Sequence, residues 1–395
     1  MKRILILNPY LPTLGGGEKY MGYLCLFLEK QYPDAIIDIL VHNYLNIDIY
    51  DESYPAINEL SERFQISLEK TNVRKVKLIN QKNLISIYRN KAMICKITSE
   101  YDIFVNFMFL SKQIGKAKKN VYISMFPPER YGGPAQSFPL SLVKKYIDWK
   151  FYRSYDLFIP ISDYSNQWLI NYWGKSNMYR IVYPPVFREN DTLNNYDEAA
   201  KENIILSVGR FFIDGHNKKQ LELARFFINN IEELHDYELH LVGGLSNNRP
   251  DIDYVDRIKK MIEDYPISVH TNAKNEDVVS LYKRAKVFWH AAGYEEDLEA
   301  EPYKAEHFGI TTVEAMSYGV VPVVINKGGQ PEIVSEEVDG YIWNDEAECI
   351  EKTMKLINNE QIRKEMASRA AEKSKSFSVE TFYRRNEEIF NELQV

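Results

Sequence analysis

The sequence predicts an α/β protein built from two doubly wound parallel-sheet domains of the Rossmann-like type. Apolar runs typical of buried strands alternate with helical patterns over most of the 395 residues, as expected of βαβ units. The chain is longer than a single ordinary core accommodates. We therefore predict a first domain over 1–195, a second over 196–375, and a C-terminal helix over 376–395 that packs back toward the first domain.

Five apolar segments predict strands in each domain. The first domain contains RILILN, AIIDILVH, DIFVNF, VYISMF and DLFIPIS, and the second contains NIILSVGR, YELHLVGG, ISVHT, KVFWHAA and VVPVVI. Between the two sets, YPPVFRENDTLNNYDEAAKEN has the prolines and polar residues of a domain boundary. After Trp343 the chain becomes charged and helical in pattern.

Composition restricts the class of protein. No stretch reaches the roughly 18 apolar residues of a membrane-spanning helix, and MKRILILNPY lacks the hydrophobic length of a secretory signal. The three cysteines, Cys25, Cys95 and Cys349, are widely spaced and odd in number, which predicts neither a disulfide framework nor a metal-ligand cluster. A cytoplasmic protein fits these features.

The charge is distributed unevenly along the chain. Residues 1–190 hold 25 Lys/Arg and 17 Asp/Glu, a balance of +8, whereas 191–395 hold 24 and 39, a balance of −15, which together give −7. A basic half and an acidic half can bind different partners. The same charge count also arises when solvated surface charges are merely segregated along the chain. Overall acidity and the lack of a matching motif argue against nucleic acid as a partner.

Two glutamates stand eight positions apart in EHFGITTVEAMSYGVVPVV, directly after the predicted strand KVFWHAA and a polar, acidic loop. Thr311 or Thr312 is expected to cap a helix carrying Glu314 in its first turns. Gly309 lets a ligand approach the backbone, and the helix start suits an anion. Glu306 precedes the helix, so the pattern fits a phosphate flanked by hydroxyl-bearing groups. Carboxylates are also common near helix N-termini simply because they interact favourably with the helix dipole. The spacing alone does not decide between this structural role and ligand binding.

The longer segment EHFGITTVEAMSYGVVPVVINKGGQPEIV resembles the signature of retaining GT-B glycosyltransferases of family 4, most strongly over 200–345 and weakly over the first 30 residues. The resemblance implies the GT-B fold, with the two domains facing a cleft, and a nucleotide-diphosphate sugar as donor. It assigns the transferred sugar to Glu306 and the nucleotide ribose to Glu314. It also places Phe308, Gly309 and Ile310 in the donor site.

The donor diphosphate requires cationic partners, and ILSVGRFFIDGHNKKQLELARFF supplies them after a strand. The resemblance implies that Arg210 and one lysine stabilise the leaving diphosphate. The loop is longer than in the family, so either Lys218 or Lys219 fits, with Lys219 preferred from its place before QLELA. Paired lysines at a helix start are also commonly solvated charges.

The first domain offers three consecutive glycines, Gly15, Gly16 and Gly17, between the first strand and an apolar helix. They are similar to the family's glycine-rich loop, which approaches the donor phosphates or the acceptor. Their spacing is not the G-x-G-x-x-G of a dinucleotide site. Most relatives also carry a cleft-lining histidine in this domain, but NVYISMFPPERYGG has Ser124 and Met125 at the matching place.

Basic residues of the first half concentrate in NVRKVK, KQIGKAKKN and LVKKYIDWKFYRSYDLF. The last segment combines four cations with Trp149, Phe151, Tyr152 and Tyr155, a pattern that fits peripheral contact with the inner face of an anionic membrane. A packed helix with a charged outer face has the same pattern.

Together these features predict a retaining hexosyltransferase, with mannose as the first guess, that uses a glycan or lipid-linked acceptor. The resemblance implies no cofactor and no catalytic metal. The Asp-x-Asp string at Asp251 starts a predicted helix and is interpreted as a helix cap. Two alternatives remain: a nucleotide-sugar-binding protein without turnover, and a GT-B epimerase or phosphorylase.

Overall fold

Two parallel six-stranded sheets organise the chain. The computed structural model describes residues 1–11, 15–43, 56–80, 83–130, 138–187, 196–213 and 215–393. The chain divides into unit 1, Met1–Pro185 with Phe382–Val395, and unit 2, Val186–Thr381. Every strand pair within the two sheets is parallel.

Unit 1 alternates strands with helices, as the apolar pattern predicts. Its strands follow the order β3-β2-β1-β4-β5-β6 across the sheet, so the order reverses beside β1. The strands are β1 (Arg3–Leu7), β2 (Ile36–His42), β3 (Thr71–Val76), β4 (Ile103–Asn106), β5 (Lys119–Ser124) and β6 (Leu157–Pro160). The helices are α1 (Gly16–Gln31), α2 (Ala56–Phe64), α3 (Leu84–Thr98), α4 (Phe138–Arg153) and α5 (Asp163–Trp173).

Unit 2 repeats the same plan with the order β12-β11-β10-β7-β8-β9. Its strands are β7 (Ile204–Val208), β8 (Glu238–Gly243), β9 (Ile267–Thr271), β10 (Val287–His290), β11 (Val321–Ile325) and β12 (Tyr341–Trp343). Its helices are α6 (Gln220–Asn229), α7 (Arg249–Met261), α8 (Asn275–Arg284), α9 (Ile310–Ser317), α10 (Gln330–Ile333), α11 (Glu346–Ile357) and α12 (Glu360–Ser374).

The central strands of unit 2 are buried on both faces, which is why they read as continuous apolar runs. Trp289 and Trp343 lie fully inside the core. Each indole N–H has an acceptor: Trp289 donates to the Thr353 hydroxyl at 2.9 Å, and Trp343 donates to the Val323 carbonyl at 3.2 Å. These bonds satisfy the polar atoms of two large side chains and hold β10 and β11 firmly beneath the loops that follow them.

The last helix, α13 (Val379–Glu392), crosses the boundary between the units. From Phe382 onward it belongs to unit 1 and packs on α1. The Phe382 ring meets Tyr20 edge-on at 5.0 Å, and the Phe390 ring lies 5.7 Å from Phe27. Aromatic contacts of this kind anchor the amphipathic end of the chain on the first helix.

The predicted fold class is confirmed, and all ten predicted segments contain strands. Two strands were not predicted, and both are sheet edges: β3 and β12. The sequence of β3, TNVRKV, includes two charged residues and only its first residue is buried, and β12 has only three residues. Neither forms an apolar run.

Candidate active site

The carboxyl ends of β7 and β10 lie side by side in unit 2, because the two strands pair directly. The segment after β7 carries the predicted cations, and the segment after β10 leads through Glu306 to α9. Ligands of open parallel sheets bind at this edge, where the strand order reverses. The topology therefore joins two segments that are about 90 residues apart in sequence.

Glu306 is the centre of this junction. One of its carboxylate oxygens, Oε2, accepts from the Lys218 ammonium at 2.6 Å and lies 3.3 Å from Nε2 of His290. The Glu306 side chain remains 20% exposed, so a ligand can reach it. Burial alone would raise the pKa of Glu306, but the Lys218 charge and the His290 hydrogen bond hold that pKa well below its ordinary value. The carboxylate is ionised at neutral pH.

Lys218 reaches Glu306 by running over Gly209, the residue that follows β7. A Cβ atom on Gly209 would lie 2.7 Å from Cγ of Lys218, so a larger residue there would displace the lysine stem. The longer loop after β7 thus folds back on its own strand. That fold places the ammonium group next to the carboxylate predicted to hold the sugar.

Lys219 has a different partner. Its ammonium donates to Oε1 of Glu296 at 2.7 Å, and Lys304 binds the other oxygen of the same carboxylate at 3.2 Å. Lys219 is also the residue before α6 and has a positive φ of 60°. It therefore ties the acidic loop after β10 to the loop after β7. Lys218, in contrast, is paired with Glu306 itself, and the preference for Lys219 at the phosphate stays a prediction.

Arg210 follows Gly209 and is exposed. Within the described ranges of the chain it forms no ion pair, which leaves its guanidinium available for an anionic ligand. Its backbone is fixed, because the buried Gln220 amide donates to the carbonyl groups of Gly209 at 2.9 Å and Arg210 at 3.2 Å. Arg210 is thus an exposed cation whose backbone is held by Gln220.

The two glycines of GGQPE pack closely against the backbone of Glu306. The Gly329 amide donates to the Glu306 carbonyl at 2.8 Å, and a Cβ on Gly328, whose φ is +64°, would lie 2.1 Å from that same oxygen. Gln330 donates to the Phe308 carbonyl at 3.2 Å. A Cβ on Gly309, whose φ is +120°, would lie 2.2 Å from the Gln330 amide nitrogen. Both glycines are required by this close packing.

The helix α9 begins at Ile310 with Gly309 as its N-cap residue, so the predicted threonine cap is wrong. Thr312 instead donates its hydroxyl to the Gln330 side chain at 2.8 Å, which joins α9 to α10. Because the cap residue has no side chain, the first backbone N–H groups of α9 have no capping side chain. Amides at a helix start are suited to an anion.

Glu314 lies on α9, one helical turn from its start, and is partly exposed. The Tyr282 hydroxyl donates to its Oε2 at 3.2 Å. Burial, together with the neighbouring Glu314 carboxylate, raises the pKa of Tyr282 far above its ordinary value, so this tyrosine stays a hydrogen-bond donor. Tyr282 in turn stacks on Tyr318 at 5.7 Å between ring centroids. The hydrogen bond from Tyr282, which is itself stacked on Tyr318, thus orients the Glu314 carboxylate.

Two histidines, the partly exposed His216 and the buried His307, pack beside the Glu306 segment. His216, from the loop after β7, meets His307 edge-on at 4.8 Å. Burial lowers the pKa of His216 to about 4 and that of His307 to about 3, so both rings are neutral near pH 7. Phe308 is only 2% exposed and packs on Phe377 at 5.3 Å. Its side chain lies in the interior, and the assignment of Phe308 to the donor site stays a prediction.

The predicted glycine loop lies in unit 1. Gly16 and Gly17 open α1, and the Glu18 carboxylate accepts from the Gly15 amide at 2.9 Å. A Cβ on Gly17 would lie 3.1 Å from Sδ of Met125. Within unit 1 these glycines let α1 approach the end of β5, and their assignment to the donor stays a prediction.

Asp251 is not the helix cap that its sequence position predicts. It lies inside the first turn of α7, fully buried, and accepts from the Ile213 amide at 3.1 Å and the Ser246 hydroxyl at 2.6 Å. It therefore braces the loop after β7. Within the part of the chain that the structure describes, no group of three or more His, Cys, Asp or Glu side chains is arranged to hold a metal ion.

Sequence reasoning missed His290 and His216. The signal for His290 was its place as the last residue of the strand KVFWHAA, the position from which a side chain reaches the ligand edge. His216 had no such signal, because the longer loop that carries it has no predictable conformation.

Comparison with known proteins shows similarity over the segment that holds this site. Residues 189–373 match the family model described as Glycosyl transferases group 1. A GDP-Man:Man(3)GlcNAc(2)-PP-Dol alpha-1,2-mannosyltransferase of Neurospora crassa is 26% identical over 232 residues, which cover 54% of this chain and 38% of that protein. The human protein of the same name is 22% identical, with 90% of this chain and 79% of the relative aligned. The chain thus spans well under half of the fungal relative's length.

Solved structures agree over the whole chain. The Anabaena protein Alr3699/HepE, crystallised with UDP and glucose, aligns with a TM-score of 0.68 at 16% identity and covers 99% of this chain and 100% of its own. At that identity the similarity concerns the fold alone. The chain has the GT-B fold, and residues 189–373 are similar to the Glycosyl transferases group 1 family.

Proposed function

We propose that this chain is a retaining glycosyltransferase that moves a hexose from a nucleotide-diphosphate sugar to a glycan or lipid-linked acceptor. The observation that carries the proposal is the contact between Lys218 and Glu306, 2.6 Å long and still partly open to solvent. This contact joins the cation that we assign to the diphosphate and the carboxylate that we assign to the sugar. Mannose is the first candidate, because the fungal and human relatives are named for mannose transfer from GDP-Man.

Each residue has a role in this proposal. Lys218, Arg210 and the first amides of α9 stabilise the diphosphate as it leaves. Glu306 holds the sugar, and Glu314 binds the ribose. Fixed cations and N–H groups aimed at developing negative charge are a large source of rate acceleration.

Retention at the anomeric carbon does not require a protein nucleophile in this scheme. The acceptor hydroxyl attacks the face from which the diphosphate departs, forming the new glycosidic bond as the bond to the phosphate oxygen breaks. That oxygen takes the acceptor proton. The protein's contribution is positioning and charge stabilisation, so we propose that neither a metal nor a cofactor takes part.

A thermal-shift screen with GDP, UDP, ADP and their sugars tests the donor class. A ligand present at 100 times its dissociation constant stabilises the folded state by about 2.7 kcal/mol, so one base series should raise the unfolding midpoint by several degrees. We expect the shift to persist in EDTA, because Lys218 and Arg210 replace a metal at the diphosphate. A shift that EDTA removes and magnesium restores would overturn the metal-free scheme. If none of the nucleotides or nucleotide sugars raises the unfolding midpoint, the proposed donor class is wrong.

We further propose that α4 contacts an anionic membrane surface. Four large apolar side chains on this helix are more than half exposed: Leu142, Val143, Tyr146 and Trp149. Basic groups lie among them, with the Arg153 guanidinium 5.9 Å from the Trp149 ring and the Lys150 ammonium 5.9 Å from the Tyr146 ring. Phe151 and Tyr155, by contrast, are buried in the core, which corrects their place in the predicted membrane face.

The mixture of exposed aromatic and basic groups is typical of helices that lie in the membrane interface. None of the described helices is both long and apolar enough to cross a bilayer. Contact would therefore be peripheral, and for a cytoplasmic enzyme it would be with the inner face. It would bring the enzyme to a lipid-linked acceptor.

Vesicle binding tests the contribution of the basic groups on α4. Replacing Lys145 and Lys150 by glutamine removes two charges worth about 1 kcal/mol each near an anionic surface, a loss of roughly 30-fold in partition. Sedimentation with phosphatidylglycerol vesicles measures it. The matched control replaces Lys259 and Lys260, exposed on α7, and should retain binding. Equal binding by both double variants would contradict a role for α4.

A further inference from the structure

His290 occupies a place in the site that the proposed function does not yet use. It is the last residue of β10, and its side chain is only 4% exposed. Its Nε2 lies 3.3 Å from Oε2 of Glu306, the same oxygen that accepts from Lys218. One carboxylate oxygen therefore has two donors, one from a flexible charged chain and one from a ring at the end of a buried strand.

The chemistry of the pair fixes the protonation of the ring. An ionised carboxylate only accepts hydrogen bonds, so Nε2 of His290 must carry the hydrogen. The other ring nitrogen, Nδ1, is buried and has no hydrogen-bond partner among the described residues. Burial lowers the pKa of His290, with the Glu306 contact opposing it only in part, so the ring is neutral. His290 is thus a neutral Nε2–H donor dedicated to one acceptor.

The two hydrogen-bond donors to Glu306, Lys218 and His290, should respond differently when a nucleotide sugar binds. The Lys218 ammonium sits on a flexible stem, and a diphosphate competes directly for it. The His290 imidazole is held by β10 and is uncharged, so a phosphate attracts it much less strongly than it attracts the Lys218 ammonium. Once Lys218 turns to the diphosphate, the histidine is the donor that still orients Glu306 Oε2.

We propose that His290 is a positioning residue that holds the Glu306 carboxylate in its productive orientation while Lys218 moves to the diphosphate of the nucleotide sugar. This inference rests on the proposed glycosyltransferase function. It predicts that loss of the Nε2 donor lowers turnover and leaves donor affinity largely unchanged. A carboxylate turned by a fraction of an ångström holds the sugar away from its near-attack geometry.

Two amide variants separate positioning from packing. The glutamine amide nitrogen reaches about as far as the Nε2 of histidine, whereas that of asparagine reaches only as far as Nδ1. We expect His290→Asn to lower kcat by about 10- to 100-fold with the donor KM within about threefold, because misplacement by 1 Å costs on the order of 10²-fold. His290→Gln should recover most of the loss. Thermal unfolding of both variants checks that the core is intact.

A readout independent of activity comes from nitrogen-15 NMR of histidine-labelled, ligand-free protein. The His290 signal, assigned by its absence in His290→Gln, should be that of the neutral Nε2–H form, and its shift should change in Glu306→Gln. An Nδ1–H tautomer or a charged ring would overturn the inference.

The kinetic outcomes separate this inference from the function on which it rests. If the wild type is active and His290→Asn is equally active, the positioning role is wrong. The positioning role is also wrong if His290→Asn and His290→Gln are equally impaired. Neither outcome contradicts the proposed transferase function. A wild type that binds nucleotide sugars but never transfers overturns both.

Discussion

Replacing Lys218 by methionine is expected to lower turnover by about 10²- to 10³-fold, the usual loss when one preorganised donor to developing charge is removed. Methionine keeps the apolar stem that lies over Gly209 and removes only the ammonium group. The leaving diphosphate then loses one of the two cations that we assign to it. Glu306 loses the charge that holds its pKa down, so burial will raise that pKa in the variant.

Lys219→Met is the matched comparison, since the two lysines are adjacent in sequence but bind different carboxylates. Lys219 contacts Glu296, so its loss should loosen the acidic loop and change turnover by less than about tenfold. Steady-state kinetics of the two variants, with nucleoside diphosphate affinity by calorimetry, measures the difference. A larger loss in Lys219→Met would restore the preference drawn from sequence and contradict the assignment of Lys218.

Glu306→Gln and Glu314→Gln are expected to fail in different ways. Glu314 is assigned to the ribose, which is common to the free nucleotide and the intact donor. Losing a hydrogen bond to a charged group costs about 1.5–3 kcal/mol, or roughly 10- to 150-fold in affinity, so this variant should bind both ligands weakly. Glu306 is assigned to the sugar, and its variant should bind nucleoside diphosphate nearly as well as wild type and lose turnover instead.

Calorimetric titration with nucleoside diphosphate distinguishes the two glutamates. Glu276→Gln is a suitable control, because that carboxylate is exposed on α8 of the same unit. If Glu306→Gln loses nucleotide affinity as severely as Glu314→Gln, the division of roles is wrong. The glutamates would then stabilise the loop between β10 and α9 together.

The fold was predictable because buried parallel strands leave a strong pattern. Segments such as KVFWHAA and VVPVVI are apolar on both faces, and their alternation with helices leaves few topologies. The edge strands β3 and β12 were not predictable from the same pattern, since one is half-polar and the other has three residues.

The site was predictable only in part. Spacing and motif marked Glu306, Glu314 and the cations after β7, because the residues that we assign to the donor are close in sequence within each loop. The contact between Lys218 and Glu306 joins positions 88 residues apart and depends on how a long loop folds over Gly209. No local pattern encodes that fold. The same reason hid His290, whose role depends on a partner outside its own strand.

The threonine cap failed for a related reason. Thr311 and Thr312 have the residue type of an N-cap, but Gly309 is the cap residue, and Gln330 leaves no room there for a side chain. A helix start packed against another segment is decided by that packing rather than by local preference.

The central claim is that this chain breaks the bond between a sugar and a nucleoside diphosphate. Phosphorus-31 and proton NMR of the wild-type chain test it directly, with the nucleotide sugar that gives the largest thermal shift and a simple alkyl glycoside as acceptor. We expect the donor's paired phosphorus signals to convert to those of the nucleoside diphosphate, and the new glycoside, or the free sugar released to water, to form first with the donor's anomeric configuration. Glu306→Gln should slow that conversion strongly. A donor that binds and stays intact, or a product of inverted configuration, would contradict the account.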